Sequence, residues 1–493
     1  MSLELTLYGS RPEDIMEDVY FQEEFVALHA HPDPIDYLKL NGFYWLSAVR
    51  QIEGTTYEDL ETPWGYGGPV ANNDSEFWRG VGQWRQRQTD RGRVAEFVRL
   101  HPFLNPVALR GILDQIRFDR LTVLVNLNDS ESRRRHYSKG TRYSLRQAEK
   151  KLSIRRLGKA DAEEFRSCYY AGLKRNNASE NYFFDTSYFS KLLEAEWVNA
   201  WAADQNGELV AVACFLSSHK FAHYHLSGGV EAARDSFAHY LLLEHAFEYF
   251  AATDIEWMHL GGGRSAKPDD TLLQFKAKFS STLVPFYTGG LVYDRNAYDG
   301  LCHGSSERFL SYRFAAPKPV TKSILTMQPA TMSNFVDYFR LKCDIVNIAW
   351  SGKYQPPNYQ EMLEWFSCQL DPDSGRTILI AMIDNNVIGY SYIDIHGNEL
   401  EISASHSASK IQREAYADIL RETMNWIRTK MPGHTVFSWI FNSNNFQTSA
   451  FVKAGFIQDL EVSSRNAYAA ATGEEDFQYR WIWSEYSKRV SAK

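Results

Sequence analysis

The sequence predicts an α/β protein made of three similar units, and the prediction rests on three hairpin-like stretches and one linker. Leu38–Val49 (LKLNGFYWLSAV), Ala202–Phe215 (AADQNGELVAVACF) and Ala381–Ile393 (AMIDNNVIGYSYI) each read as strand, tight turn, strand. The Asn-Gly and Asn-Asn pairs at their centres tolerate the positive φ that two-residue hairpin turns require. The stretches recur roughly 164 and roughly 180 residues apart, the size of one small α/β domain. Ala315–Lys322 (AAPKPVTK) holds two prolines and no apolar periodicity. The expected division is therefore 1–151, 152–315, a linker at 316–322, and 323–493.

The composition suits that plan. With 493 residues, 44% of them apolar and 14% aromatic, the chain is globular, long enough for several cores, and rich in rings that line pockets. A net charge of −8 argues against general binding to nucleic acid or to an anionic membrane, so any polyanion contact must be local. The five cysteines are scattered, odd in number and free of CxxC spacing, which fits a reducing compartment and not cysteine-ligated zinc. The first residues, MSLELTLYGSRPEDIMEDVY, lack an apolar signal core, and no run approaches the roughly 18 apolar residues of a membrane span. The expected location is the cytoplasm.

In the first unit, Glu61–Val70 (ETPWGYGGPV) sets Trp64 and Tyr66 among glycines and prolines, either a buried clamp or a rigid loop that presents rings. Arg93–Pro106 reads as a strand ending in a proline-stopped turn, and Leu121–Leu127 as a buried strand. Ten of the 24 residues from Arg133 to Arg156 are Lys or Arg, against the single acid Glu149. Arg135, Lys139, Arg142 and Arg146 fall at helical offsets of 0, 4, 7 and 11 and would form one stripe. Like charges so spaced cost about a few tenths of a kcal/mol per pair. A solvated basic face and an anion site for a diphosphate or a tRNA backbone are the two readings.

In the second unit Phe165–Arg175 is an amphipathic helix and Tyr182–Glu196 is dense in rings. Lys220–Ala251 runs from strand to helix. His223 and His225 share a strand face with His219 ahead of them, but no carboxylate or cysteine stands at ligand spacing, so no metal is expected. Ser227, Gly228 and Gly229 read as a turn before a helix N-terminus, a place for an anion. Asp254–Gly290 then reads as a strand stopped by Gly261, Gly262 and Gly263, followed by Arg264 and by Lys276 and Lys278 beside an apolar face. Bare backbone next to fixed positive charge is the expectation there.

Several of these pieces together resemble the FemAB family, transferases whose fold is two fused GNAT-type domains. GYGGP, RYSLRQAEK (Arg142–Lys150), HYHLSGG, LGGG, DTLLQFK (Asp270–Lys276) and PFYTGG appear in the family's order, across about Tyr37 to Leu301. The resemblance implies that each unit is a mixed, mostly antiparallel sheet flanked by helices. It implies transfer of an aminoacyl or acetyl group, from aminoacyl-tRNA or acyl-CoA, to an amine of a peptidoglycan, cell-envelope or sugar precursor. No tightly bound cofactor is implied; tRNA is a further partner in that scheme.

By the same resemblance Lys276 steadies the developing oxyanion or a carrier phosphate, and Asp270 orients Lys276 or recognises the acceptor amine. Lys139, Arg142, Arg146, Tyr66, Gly67, Gly68, His225, Lys278 and Tyr287 would meet substrate or phosphate, and Gly261–Gly263 with Arg264 the donor. No long heptad-bearing arm like that of the longer Fem ligases is present. The last unit resembles a separate GNAT domain. Gln412, Ala415 and Ala417 align with its pyrophosphate loop, with alanine where glycine is usual, and Asn444 precedes its N…GF motif. Phe451 stands where a tyrosine often serves as general acid, and phenylalanine has no proton to give, which leaves a domain that binds acyl-CoA poorly, uses another acid or serves recognition only. The rival reading of the chain is a non-catalytic binding protein built from such units.

Overall fold

The computed structural model describes residues 4–30, 33–267, 269–302, 308–314, 324–351, 355–383, 386–406, 414–462, 465–469 and 474–483. The linker expected at 316–322 and the predicted loop residue Gln412 lie outside these. The fold is α/β, with two sheets flanked by helices. Two compact units divide the chain: Leu5–Leu104 with Asp119–Phe286, and Met1–Glu4 and Asn105–Phe118 with Tyr287–Lys493.

The first sheet contains β1 (Ile35–Leu40), β2 (Phe43–Gln51), β3 (Glu58–Glu61), β4 (Val70–Ala71), β5 (Ala95–Arg99), β6 (Gln115–Asn126), β7 (Ser153–Leu157), β8 (Val198–Gln205), β9 (Glu208–Ser218), β10 (Phe221–Gly229), β11 (Trp257–Gly262) and β12 (Leu283–Val292). Their order is β1-β2-β3-β5-β12-β6-β11-β10-β9-β8-β7, with β4 on β2. Each half is an antiparallel run closed by a parallel pair, β3 with β5 on one side and β10 with β11 on the other. The stretches expected as the first and second units thus share one continuous sheet. The hairpins are where the Asn-Gly signals put them: Asn206 and Gly207 join β8 to β9 at φ of 54° and 83°. A left-handed pair of this kind matches the twist of the flanking strands.

The core of this unit lies between the sheet and the helices Ala162–Arg175 and Thr186–Glu194, with Phe165, Phe189, Leu192, Val212 and Phe221 fully enclosed. Ser227, Gly228 and Gly229 are not a turn; they complete β10. A Cβ on Gly228 would stand 2.3 Å from Tyr169 Cα, so glycine is needed there for the helix Ala162–Arg175 to lie directly on the strand. The anion-binding turn expected at this point is replaced by close packing.

The second unit's sheet has β13 (Leu325–Pro329), β14 (Arg376–Ile383), β15 (Asn386–His396), β16 (Glu399–His406), β17 (Thr435–Phe441), β18 (Phe456–Gln458), β19 (Arg465–Ala469) and β20 (Glu474–Trp483). Its order is β13-β14-β15-β16-β17-β20-β18, with β19 on β20, and its core gathers Leu379, Ile393, Leu400, Leu420 and Phe451.

Candidate active site

Strands β10 and β11 run parallel and pair over only three residues, ending at His223 opposite His259. Beyond that pair β10 bulges between Tyr224 and Leu226, and β11 shifts register between His259 and Gly261. Gly261 takes φ 71°, a conformation glycine reaches without strain. The two strands therefore part, and the polar groups of this unit collect at the parting.

Lys276 is the principal one. It ends the short helix Thr271–Lys276, is only 7% exposed, and its Nζ donates to Gly262 O at 2.8 Å while lying 5.7 Å from the Tyr224 ring centre. A Cβ added to Gly261 would stand in ordinary contact with Lys276 Nζ, at 3.5 Å, and Tyr66 Oη, at 3.9 Å, so these two polar groups converge on the Gly261 backbone. Burial, reinforced by Arg120 and partly offset by Asp270, pulls the Lys276 ammonium down to about 7. The sequence reading of a fixed charge is corrected accordingly: this amine titrates near neutrality, because leaving water penalises its charged form.

Asp270 does not hydrogen-bond Lys276. Its carboxylate accepts from Leu272 N, Leu273 N, Ser265 N and Ser265 Oγ at 2.9 to 3.1 Å, capping the helix that carries Lys276 and pinning the glycine loop to it. Although burial alone would raise it, these bonds hold the carboxyl below its ordinary value. Arg120 donates to Gly263 O at 2.9 Å, fixing the loop from the other side. Arg264 is exposed.

Next to Lys276 is a buried cluster that no local motif revealed. Asp18 Oδ2 accepts from His101 Nε2 at 2.6 Å and from His223 Nε2 at 2.8 Å, while Oδ1 accepts from Val19 N and Ser218 Oγ. Burial would raise the Asp18 carboxyl, but His223 and His101 hold it well below the usual carboxylate range. His101 Nδ1 accepts from Phe103 N at 3.3 Å, which places the His101 proton on Nε2. The three ligand-type atoms lie within 4.8 Å of one another, near enough to gather round a metal ion, yet in this bonding pattern both imidazoles spend Nε2–H on the carboxylate. His259 lies 6.0 Å from His223, centre to centre, and Tyr66 lies 5.1 Å from His259. Burial, helped by His223 and Lys276, keeps His259 well below its ordinary value and so uncharged. Among the described residues neither His223 Nδ1 nor His259 Nε2 has a hydrogen-bond partner.

The other predicted residues are dispersed. His225 sits at the bulge of β10 against His29 (3.4 Å) and Tyr188 Oη (3.3 Å), with burial pushing His29 down to about 4. Gly67 and Gly68 are buried structural positions: Gly67 bridges to Leu100, and Gly68 takes φ 109°. Lys278 Nζ donates to Tyr240 Oη at 2.7 Å. Tyr287 belongs to the other unit, where its Oη donates to Cys343 O at 2.8 Å. The single basic stripe is broken, since Ser138 Oγ caps a new helix, Lys139–Lys151, leaving Arg135 on the helix Ser130–His136 and paired with Glu131. Arg133 and Arg134 are spent on Glu244. Lys139, Arg142 and Arg146 remain exposed on one helix face.

In the second unit β16 and β17 also pair over three residues, Glu399–Glu401 with Thr435–Phe437, and then part. Ala415 and Ala417 flank the start of the helix Tyr416–Lys430, and Asn444 caps the helix Asn445–Lys453 through Gln447 N. Tyr416 Oη donates to Ala404 O at 3.0 Å, and Phe451 is fully buried, 4.8 Å from Phe456.

Residues 132–276 match the model of a family described as Acetyltransferase (GNAT) domain, a stretch that ends on Lys276 and spans under a third of the chain. No curated protein matches the sequence. Among solved structures the chain is similar to FemX, at 9% identity over 58% of this chain and 94% of that one, with a TM-score of 0.46. It is also similar to an aminoglycoside acetyltransferase in complex with coenzyme A (14% identity, 34% and 100% covered, TM-score 0.28). A third is spermidine N-acetyltransferase from Vibrio cholerae with coenzyme A and spermine (11% identity, 33% and 97% covered, TM-score 0.30). Among the described residues no helix is long and apolar enough to cross a membrane.

Proposed function

Taking as premise the GNAT-type acyltransferase domain carried by residues 132–276, we propose that the chain transfers an acyl group to an amine at the parting of β10 and β11. The observation that carries this reading is Lys276, a buried amine that meets Tyr66 Oη at the Gly261 backbone and whose ammonium is pulled down by burial to about 7. A carbonyl brought against Lys276 develops negative charge as the amine attacks, and the charge draws Lys276 fully into its protonated form. A desolvated donor of this kind is worth more than the same group in water. Asp270 and Arg120 position the loop and helix that aim it. No covalent enzyme intermediate is required; attack is direct.

The donor is acyl-CoA or aminoacyl-tRNA, and the exposed Lys139, Arg142 and Arg146 supply phosphate contacts for either. The acceptor is an amine of a cell-envelope, peptidoglycan or sugar precursor, made and used in the cytoplasm. The second unit, whose Phe451 has no hydroxyl and is sealed in the core, serves recognition and not catalysis. The 323–493 stretch is proposed as its own GNAT-like domain and 1–151 and 152–315 as a fused pair.

The test incubates the purified chain with labelled acetyl-CoA and, separately, with charged tRNA, and reads binding and transfer to hydroxylamine, which traps either donor as a hydroxamate. Hydroxamate from one donor supports the reading and names the donor. Binding of neither, with no hydroxamate, supports the non-catalytic alternative.

A further inference from the structure

A buried polar atom without a partner costs about 1–3 kcal/mol, so two in one layer of one unit demand an explanation. His223 is 1% exposed and His259 is 2% exposed, and they face each other across the last rung before the strands part. His223 Nδ1 and His259 Nε2 lack partners among the described residues. The bonding pattern also fixes what His223 Nδ1 is. Asp18 Oδ2, an acceptor, takes the Nε2 proton at 2.8 Å, so in the neutral imidazole Nδ1 carries the free lone pair. An imidazole held in one tautomer by a buried carboxylate, with its other nitrogen vacant, is the arrangement of a general base.

Resting on the acyl-transfer reading above, we propose that His223 is the catalytic base, with Asp18 as its positioning residue. The acceptor amine would approach where Tyr66 and Lys276 meet the Gly261 backbone, and His259 Nε2 would give it a second contact. The amine nitrogen forms its bond to the acyl carbon while its proton moves to His223 Nδ1. The bond from that carbon to the donor sulfur or oxygen breaks, the leaving atom keeps the electron pair, and it takes the proton back from the imidazolium. Asp18 stabilises that imidazolium for as long as it exists. The groups packed round His223 are Asp18, His101, Tyr20, Tyr66 and His259, with Lys276 beyond; Asp18 is their only carboxylate among the described residues.

The test uses the full chain with hydroxylamine as acceptor probe and acetyl-CoA or charged tRNA as donor. His223→Gln should lower kcat by about 100-fold or more, the range of a lost general base, with KM for the donor unchanged. Asp18→Asn should show the same split, and imidazole added to His223→Gly should restore part of the rate. A His223→Gln rate within about threefold of wild type, while Lys276→Ala is impaired, overturns the proposal and leaves acyl transfer standing. No hydroxamate from the wild-type chain with either donor overturns both. Stoichiometric zinc uptake that vanishes in His223→Gln and governs activity makes the trio a metal site and overturns the proton role. Should the variants not fold, nitrogen-15 spectra of histidine-labelled wild type decide: Nδ1 of His223 unprotonated and Nε2 protonated supports the proposal, and the opposite tautomer overturns it.

Discussion

The two sheets each contain a parallel pair that holds for three rungs and then opens, β10 with β11 and β16 with β17, and the two openings differ in how their polar atoms are satisfied. At the first, Lys276 is buried on the Gly262 carbonyl, and among the described residues two imidazole nitrogens have no partner. At the second, Tyr416 Oη donates to Ala404 O and accepts from Gln447 Nε2 at 3.3 Å, Ser405 Oγ donates to Asn347 at 2.5 Å, and Phe451 closes against Phe456. Among the described residues the same backbone event leaves one opening with unmet hydrogen-bonding capacity and the other paired with its own protein. Unmet capacity destabilises the chain and persists where a ligand or a reacting group is to meet it.

The sharpest way to probe that contrast is to remove the unmet charge. Lys276 has a folded value near 7 against an ordinary 10.5, so the folded chain binds fewer protons than the unfolded one between those limits, and stability rises with pH across that window. The burial cost is therefore fully present below about pH 7 and relieved toward pH 10.5. Lys276→Met should stabilise the first unit by roughly 3–5 kcal/mol at pH 6, the size of such a shift, and by little near pH 10. Urea unfolding at the two pH values measures it; equal effects at both would mean that the lysine is not desolvated.

Packing sets the next effect. Gly228→Ala places a Cβ against the Tyr169 backbone and should destabilise by about 2–3 kcal/mol. In the second sheet Gly389→Ala meets the Ile419 side-chain tip at 2.6 Å and Ser405 O at 2.8 Å, so a smaller loss is expected where one of the two neighbours can yield. Thermal unfolding of both variants ranks them. Asp270→Ala should cost about 1 kcal/mol as a lost helix cap and should lower kcat by misplacing Lys276, without changing which donor binds. The smallest effect belongs to the second opening: His406→Ala and Tyr416→Phe should leave hydroxamate formation within about twofold of wild type, because the reaction is assigned elsewhere; a loss comparable to that of His223→Gln would move the chemistry there.

Much of this was legible in local patterns. The Asn-Gly hairpins, the strand into the glycines and the lysine after DTLLQF are each set by contiguous residues, and the fold class followed from them. The Asp18 cluster was not legible, because its bonds join residues 83 and 205 positions apart. Rejecting a ligand set for His223 on spacing along the chain overlooked a carboxylate delivered from the N-terminal segment. Gly228 and Gly229 look alike in a turn and in a strand pressed by a helix, and only the position of Tyr169 distinguishes them. The basic stripe failed at Ser138, whose capping of the next helix was itself a local signal. Lys276 was found as a cation, but its depressed value depends on burial, which sequence does not give.

The most direct test of the central claim is the turnover of Lys276→Ala with hydroxylamine and the donor that the wild-type chain accepts, alongside its unfolding curve. The account predicts a fold at least as stable as wild type and a kcat lower by about 100- to 1,000-fold, the loss expected for one oxyanion donor. A stable variant that turns over at the wild-type rate would contradict it.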